Sequence, residues 1–200
     1  MKAKSLILIL GAGGHAMACI DVVEAEGRYR VLGLVGWKKE TGRKVCGYSV
    51  VGTENDLPSL LKKTTHLVNG IGQIKSPQLR IKVFDKLVRM GVIFPAIKSP
   101  HAYVSKKAKL GEGTIVMHRA TLQAGVQVGK NCIINDHALL EHGVSVGNHC
   151  HVSTGAILNG DVQIGEGSFI GSGSTIQEGV VIPPCSIVPM GTIVYRKKVN

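Results

Sequence analysis

The chain has 200 residues, of which 44% are hydrophobic and 18% charged, a composition typical of a globular protein with a buried core. Aromatic residues contribute only 4% while glycine occurs 26 times, so the core must be built from small and aliphatic side chains. A net charge of +11 predicts anionic partners. Its lysines and arginines are scattered, apart from the tail at 196–198, and few rings are available to stack on bases, which argues against nucleic acid.

The cysteines and the N-terminal segment bear on location. Five cysteines without metal-ligand spacing predict reduced thiols and a cytoplasmic protein. The first apolar run, Leu6–Leu10, ends in glycines without a cleavage-like sequence, which predicts a strand rather than a signal peptide. No window approaches 18 uninterrupted apolar residues, so no membrane insertion is expected.

Residues 1–97 alternate strand-like apolar runs with helical patterns, which predicts an α/β domain with a small Rossmann-like parallel sheet. A glycine-rich turn, Gly11–His15, follows the first strand and precedes a helix that stops at Gly27. The later elements are predicted as two strands, Val31–Val35 and Leu67–Ile71, and a helix, Pro77–Met90.

The period changes in residues 98–200. Every sixth position is aliphatic from Val104 to Val194, and the position two places earlier is small or a valine. A six-residue repeat of this kind predicts an all-β left-handed parallel β-helix, a prism whose stacked turns bury a continuous core. Glycines recurring every eighteen residues from Gly111 to Gly165 indicate three repeats per coil and about five coils. This register stacks Cys132 on Cys150 inside the prism, where both are expected to be core thiols.

Four of the eight histidines lie within fifteen residues of the repeat. His137, His142 and His149 fall in successive hexads, and His151 follows; none occupies an inward position. Because successive hexads form different faces, one chain does not gather these side chains around an ion, although a metal shared between two chains stays open. The register predicts that His137 and His149 lie on the surface.

These features resemble the two-domain sugar acetyltransferases of the left-handed β-helix type. The likeness rests on two motifs. The first is Gly-x-Gly-Gly-His at Gly11–His15, between a predicted strand and a predicted helix; the second is Asn135, then six residues, then His142, which is preceded by Glu141. Members acetylate nucleotide-linked 4-amino sugars on the routes to bacillosamine and perosamine, and NeuD-type sialic acid O-acetyltransferases are similar. The resemblance implies acetyl-CoA as co-substrate, no metal, a homotrimer, and a role in surface polysaccharide or glycan synthesis.

The resemblance also assigns expected roles to individual residues. It implies His142 as the general base, which takes a proton from the attacking amine. His151, Ser172 and Met190 correspond to contacts with acetyl-CoA. The positions that correspond to the binding site for the nucleotide-linked sugar are Gly13, Gly14, His15, Gly36, Trp37, Gly72 and Asn135.

Three departures from the family pattern stand out. The acid that usually follows the catalytic histidine, orienting its ring, is Gly143 here. The Asp-Asp pair that usually ends the second strand is replaced by Gly36-Trp37, where the indole either stacks on a base or packs. The usual Gly-Val-Pro-Ala ending is also absent.

Two other functions compete with acetyl transfer. The pattern His137-x4-His142-Gly143 is similar to that of γ-class carbonic anhydrases, trimeric β-helix enzymes in which two chains share zinc, but His118 lies one coil below Asp136 and supplies no obvious third ligand. A catalytically silent scaffold or binding protein is the other alternative, because one fold hosts many functions.

Overall fold

The structure is a computed structural model that describes residues 4–195; the basic tail at 196–198 lies outside them. The N-terminal part is a five-stranded sheet in the order β3-β4-β2-β1-β5, parallel except for the β3–β4 pair. Its elements are β1 Ser5–Leu10, α1 Gly14–Glu26, β2 Tyr29–Val35, β3 Lys44–Val45, β4 Tyr48–Gly52, α2 Leu57–Leu60, β5 Leu67–Asn69 and α3 Gln78–Arg89.

The remaining strands form a parallel β-helix of triangular cross-section, as the six-residue period predicts. Each strand is two residues long and pairs with the strand eighteen residues later, for example Ile133 with His151. The strands are β6 Ile97–Lys98, β7 Tyr103–Val104, β8 Lys109–Leu110, β9 Ile115–Val116, β10 Thr121–Leu122, β11 Gln127–Val128, β12 Ile133–Ile134, β13 Leu139–Leu140, β14 Ser145–Val146, β15 His151–Val152, β16 Ile157–Leu158, β17 Gln163–Ile164, β18 Phe169–Ile170, β19 Thr175–Ile176, β20 Val181–Ile182, β21 Ile187–Val188 and β22 Ile193–Val194.

Three sheets make the three faces of this prism. The first face contains β6, β9, β12, β15, β18 and β21; the second contains β7, β10, β13, β16, β19 and β22; the third contains β8, β11, β14, β17 and β20. The aliphatic residue of each hexad points inward, and those of the central coils are buried. Cys132 and Cys150 are buried unpaired thiols that donate to the carbonyls of Gly147 and Gly165, which confirms them as core residues.

The N-terminal part covers the first face of the prism. Outward-facing Ile115 and Ile133 of that face are buried in the same apolar cluster as residues of α1 and β1. The two parts therefore share a core, which fixes the loops of the sheet against the prism. Within residues 4–195, no helix has the length and apolarity needed to cross a bilayer.

The inward and outward positions of the prism should differ sharply in their effect on stability. We expect Ile134→Ala to lower the free energy of unfolding by about 2–5 kcal/mol, because Ile134 is fully buried and its loss leaves a cavity. Ile187→Ala is the matched control: that side chain is 56% exposed, and a change within about 0.5 kcal/mol is expected. Urea denaturation measures both, and equal losses would contradict the assigned register.

Candidate active site

A pocket of about 380 Å³ opens at the carboxyl ends of β1 and β2. Strand order reverses at β1, since β2 and β5 lie on opposite sides of it, and ligands of open α/β sheets bind in the crevice at such a switch point. Apolar residues including Val35 and Leu57 line it, and polar groups, among them Thr53 and Asn55, lie beside them. Gly36 and Trp37 belong to the lining, and the indole is 70% exposed.

The glycine-rich turn lies at the edge of the same pocket. Gly11 has φ +95°, and a β-carbon there would lie 3.3 Å from the Gly70 carbonyl oxygen, so the turn between β1 and α1 requires a glycine. Helix α1 begins at Gly14, and Gly13 caps it without a side-chain hydrogen bond. The first amides of a 13-residue helix are thus available to an anion, and its first turn holds no acidic residue.

His15, the last residue of the turn, points back into the junction between sheet and prism. Its Nε2 lies 3.5 Å from the Cys19 thiol, and its Cβ lies beside Gly72. Burial, with smaller contributions from Arg80 and His151, lowers the pKa of His15 to about 3. His15 is therefore a neutral ring at the junction.

A buried arginine joins the sheet to the prism. Arg80 of α3 is 1% exposed and donates to the carbonyls of Asn69 and Ile71 on one side and to Asn131 of the prism on the other. Among the described residues it has no acidic partner, and burial lowers its pKa to about 10. These bonds hold the loop after β5, which contains Gly72, against the prism.

His151 is part of this junction rather than of an open surface. Its Nδ1 donates to the Gln73 carbonyl at 2.6 Å, and burial, partly offset by that bond, lowers its pKa to about 4. The ring is therefore neutral with its proton on Nδ1, which leaves Nε2 an acceptor. Nε2 is buried and has no hydrogen-bond partner among the described residues, and the same holds for Gln73 Oε1, so both acceptors are unsatisfied in this junction.

The expected surface position of His149 is wrong. His149 is 8% exposed, its Nδ1 accepts from Asn131 Nδ2 at 2.9 Å, and Phe84 packs edge-on against the ring. The register correctly points this histidine away from the prism core, but the N-terminal part covers that side, so it is a satisfied buried residue. His137 is exposed, as the register predicts.

Three other predicted residues lie on or near the corner between the first and second faces. Asn135 is half-buried, and its Oδ1 accepts from the Asp136 amide at 2.9 Å. The Ser172 hydroxyl is 2.8 Å from that of Ser153, one coil above Asn135. Met190 is 77% exposed on the last coil.

His142 stands apart from all of these residues. It is exposed at the corner between the second and third faces, and its ring lies over Gly160, where a β-carbon would be 2.7 Å from Nε2. Within the part of the chain that the structure describes, no carboxylate lies within 4.0 Å of the ring nitrogens. One chain therefore brings together His15, Gly72 and His151, but not His142.

The structure adds residues that sequence reasoning missed. Asn69, Gln73 and Arg80 form the polar junction, and all three are at most 2% exposed. In the sequence, Asn69 and Gln73 stand at or just after the end of a strand, and Arg80 stands within a helix. Polar residues at such positions are usually exposed, so nothing in the sequence pattern marks these three as buried.

The ligands required by a zinc enzyme are not gathered within one chain. His118 is bonded on one side to the Ser99 hydroxyl at 2.6 Å and on the other to Asp21 at 2.8 Å, away from His142. In residues 4–195 no group of three His, Cys, Asp or Glu side chains is arranged to hold a metal ion.

The two buried histidines predict a pH dependence of stability. Their pKa values are lowered from 6.5 in the unfolded chain to about 3 and about 4, so below pH 6.5 the unfolded state binds protons that the folded state does not. We expect each to reduce stability by about 1.4 kcal/mol per pH unit as the pH falls from 6.5 toward 4. In urea unfolding, the double variant His15→Gln/His151→Gln should lose less free energy of unfolding between pH 7 and pH 5 than the wild type does. His137→Gln, at an exposed position, should keep the wild-type slope; equal slopes in all three proteins would contradict the assignment.

Comparison with known proteins agrees with this architecture. Residues 6–87 match the PglD N-terminal domain, residues 107–142 and 143–178 match the bacterial transferase hexapeptide (six repeats), and residues 126–159 and 161–196 match the hexapeptide repeat of succinyl-transferase. No curated protein sequence matches significantly.

Solved structures of several acetyltransferases resemble the whole chain. A variant of perosamine N-acetyltransferase from Caulobacter crescentus, in complex with CoA and GDP-perosamine, is 33% identical with a TM-score of 0.90, covering 97% of this chain and 90% of that one. The acetyltransferase domain of PglB from Neisseria gonorrhoeae FA1090 is 26% identical with a TM-score of 0.86, covering 96% and 92%. WeeI from Acinetobacter baumannii AYE, at 20% identity and a TM-score of 0.81 over 96% and 92%, shares the fold. The chain therefore belongs to the hexapeptide-repeat acetyltransferases that carry a PglD-type N-terminal domain.

Proposed function

We propose that this enzyme transfers the acetyl group of acetyl-CoA to the amino group of a nucleotide-linked 4-amino sugar. The observation that carries the proposal is the likeness, over 97% of the chain, to a perosamine N-acetyltransferase bound to CoA and GDP-perosamine. A second solved relative, the PglB domain, is described with acetyl coenzyme A. The products then serve surface polysaccharide or glycan synthesis.

The N-terminal part supplies the properties that a nucleotide-linked sugar requires. The apolar pocket beside Trp37 accepts a base, and the free amides at the start of α1 suit phosphate groups. A net charge of +11 favours association with two phosphate-rich substrates. We assign nucleotide-sugar binding to residues 1–97 and acyl transfer to residues 98–200.

The chemistry needs one base and no covalent intermediate. The sugar amine attacks the thioester carbonyl carbon, and the His142 ring takes the proton that the nitrogen loses. The tetrahedral intermediate collapses with cleavage of the C–S bond, and the imidazolium returns its proton to the departing thiolate. Acetyl-CoA needs its own contacts. His151 Nε2, which has no partner among the described residues, suits an amide or hydroxyl donor of acetyl-CoA, and we assign Ser172 and Met190 to the same ligand.

We further propose a homotrimer in which each active site is shared between two chains. His142 lies at a different corner of the prism from the junction where His15, Gly72 and His151 meet, so a neighbouring chain must bring the base to the substrates. The second face supports such packing: its outward row includes half-buried Leu139 and Ile157. Of the five outward positions of the third face, four are polar (Lys109, Gln127, Ser145 and Gln163) and one is Val181. The five unpaired cysteines fit a reducing compartment, and we propose that the enzyme is cytoplasmic.

A substrate panel tests the proposed reaction. We expect thiol release from acetyl-CoA with at least one of several UDP-, GDP- and dTDP-linked 4-amino sugars, and no release with free sialic acid. Release with sialic acid alone would indicate a sugar O-acetyltransferase. No release with any acceptor would support a silent binding protein, and stoichiometric zinc retained after dialysis would support the hydratase.

Replacement of the proposed base tests the mechanism. We expect His142→Ala to reduce kcat by about 10²- to 10⁴-fold, because proton transfer then falls to water. His142 is exposed, so oligomeric state and substrate binding should stay unchanged. His137→Ala, an exposed histidine at another corner of the same coil, serves as control; equal kcat for His142→Ala and wild type would reject the assignment.

The Gly36-Trp37 replacement generates a separate prediction. We expect Trp37→Ala to raise KM for the nucleotide sugar about fivefold, from loss of roughly 1 kcal/mol of stacking on the base, with no change in KM for acetyl-CoA. Tyr195→Ala, which removes an exposed aromatic ring from the last coil, is the control for loss of an aromatic side chain. Unchanged KM values in Trp37→Ala would show that the indole serves packing alone.

A further inference from the structure

The space that an acidic residue at position 143 would fill is already occupied. A β-carbon built on Gly143 would lie well inside contact distance of Oδ1 of Asp161, one coil above. The carboxyl carbon of an aspartate at 143 would lie only about 1.5 Å beyond that β-carbon. The Asp161 carboxylate therefore stands near the position that a side chain at 143 would take.

The backbone holds Asp161 in this place. Its amide donates to the His142 carbonyl at 2.9 Å, and it adopts φ 55°, a left-handed conformation that aspartate tolerates better than most residues. The preceding residue is Gly160, on which the His142 ring rests. A glycine at 160 lets the ring approach the coil above, and a glycine at 143 leaves room for the carboxylate.

Resting on the function proposed above, we propose that Asp161 is the positioning residue for His142 and replaces the missing acid at position 143 from the next coil. The carboxylate stabilises the imidazolium that forms when His142 takes the amine proton. In the structure the carboxylate rests against Gly143 and lies more than 4.0 Å from the ring nitrogens of His142, so the contact forms only when the substrates bind, as catalytic hydrogen bonds often do.

The other charged residues at this corner of the prism lie in the same turn as His142 or at least two coils away from it. Glu141 shares the turn with His142, and one coil below lie the uncharged Ala124 and Gly125. Two coils below are Lys106 and Lys107, and two coils above is the exposed Glu178. Asp161 is thus the acidic group of the adjacent coils at this corner, and Glu178→Gln is a control that removes the same charge from farther away.

The test compares Asp161→Asn with Glu178→Gln in the full-length protein. Asp161 is exposed and asparagine accepts its backbone conformation, so the variant should fold. We expect the NMR signals of the His142 ring, recorded at one fixed pH, to move in Asp161→Asn, because the ring loses a neighbouring carboxylate. We expect kcat to fall by about tenfold with both KM values unchanged. Glu178→Gln should leave both quantities at their wild-type values.

A swap of the two positions gives the sharpest control. Asp161→Gly should match Asp161→Asn, and Gly143→Asp/Asp161→Gly should recover most of kcat, since the carboxylate returns to the same space. Wild-type ring signals and kcat in Asp161→Asn would overturn the role of Asp161. Ring signals that move in Asp161→Asn but not in Glu178→Gln, in a protein without thiol release, would retain the pairing and reject the proposed function, so the two failures are distinguishable.

Discussion

The stacking of one coil on the next every eighteen residues is the constraint on which the rest of the structure depends. Ladder pairing such as Ile133 with His151 fixes which side chain lies above which, and the buried aliphatic column leaves no freedom to slip. The same register separates His142 from the residues that face the sheet. Under the proposed function, assembly of two chains brings the base to the substrates.

The second constraint is the buried polar junction between the two parts. Arg80 lies in this junction without an acidic partner among residues 4–195, held by backbone carbonyls and Asn131. Together with burial, its positive charge keeps His15 and His151 neutral at physiological pH. A neutral His151 presents an acceptor rather than a charge, and under the proposed function that acceptor meets the amide or hydroxyl donors of acetyl-CoA. The contacts that hold the two parts of the chain together are then the ones that we propose for ligand recognition.

The prism could be predicted from the sequence almost completely, because a six-residue period places one aliphatic side chain in every strand. The N-terminal sheet was harder to predict. Predicted β1, β2 and α3 are confirmed with ends one or two residues away, whereas β3, β4 and α2, in a stretch without clear periodicity, were missed. His149 shows the limit: the repeat gives a side chain's direction relative to the prism core, but not what another part of the chain packs against it.

The glycine at position 143 shows which part of the site depends on the stacking of coils rather than on a local sequence motif. The sequence locates the nearest acids along the chain, Glu141 and Asp136, but not the one on the adjacent coil. Asp161 lies eighteen residues after Gly143, and only the geometry of the corner indicates that its carboxylate turns down into the vacant volume. A residue can therefore be absent from a motif while its chemical group is supplied from one coil above.

Co-expression of two inactive variants tests most directly the claim that the reaction is performed between chains. One variant carries His142→Ala and the other His15→Ala/His151→Ala, so neither alone has a complete site. If the site joins two chains of a trimer, random assortment makes about one quarter of the interfaces native, and thiol release should recover to about that fraction of wild type. Activity no greater than the sum of the two variants purified separately would contradict the account and place the whole site within one chain.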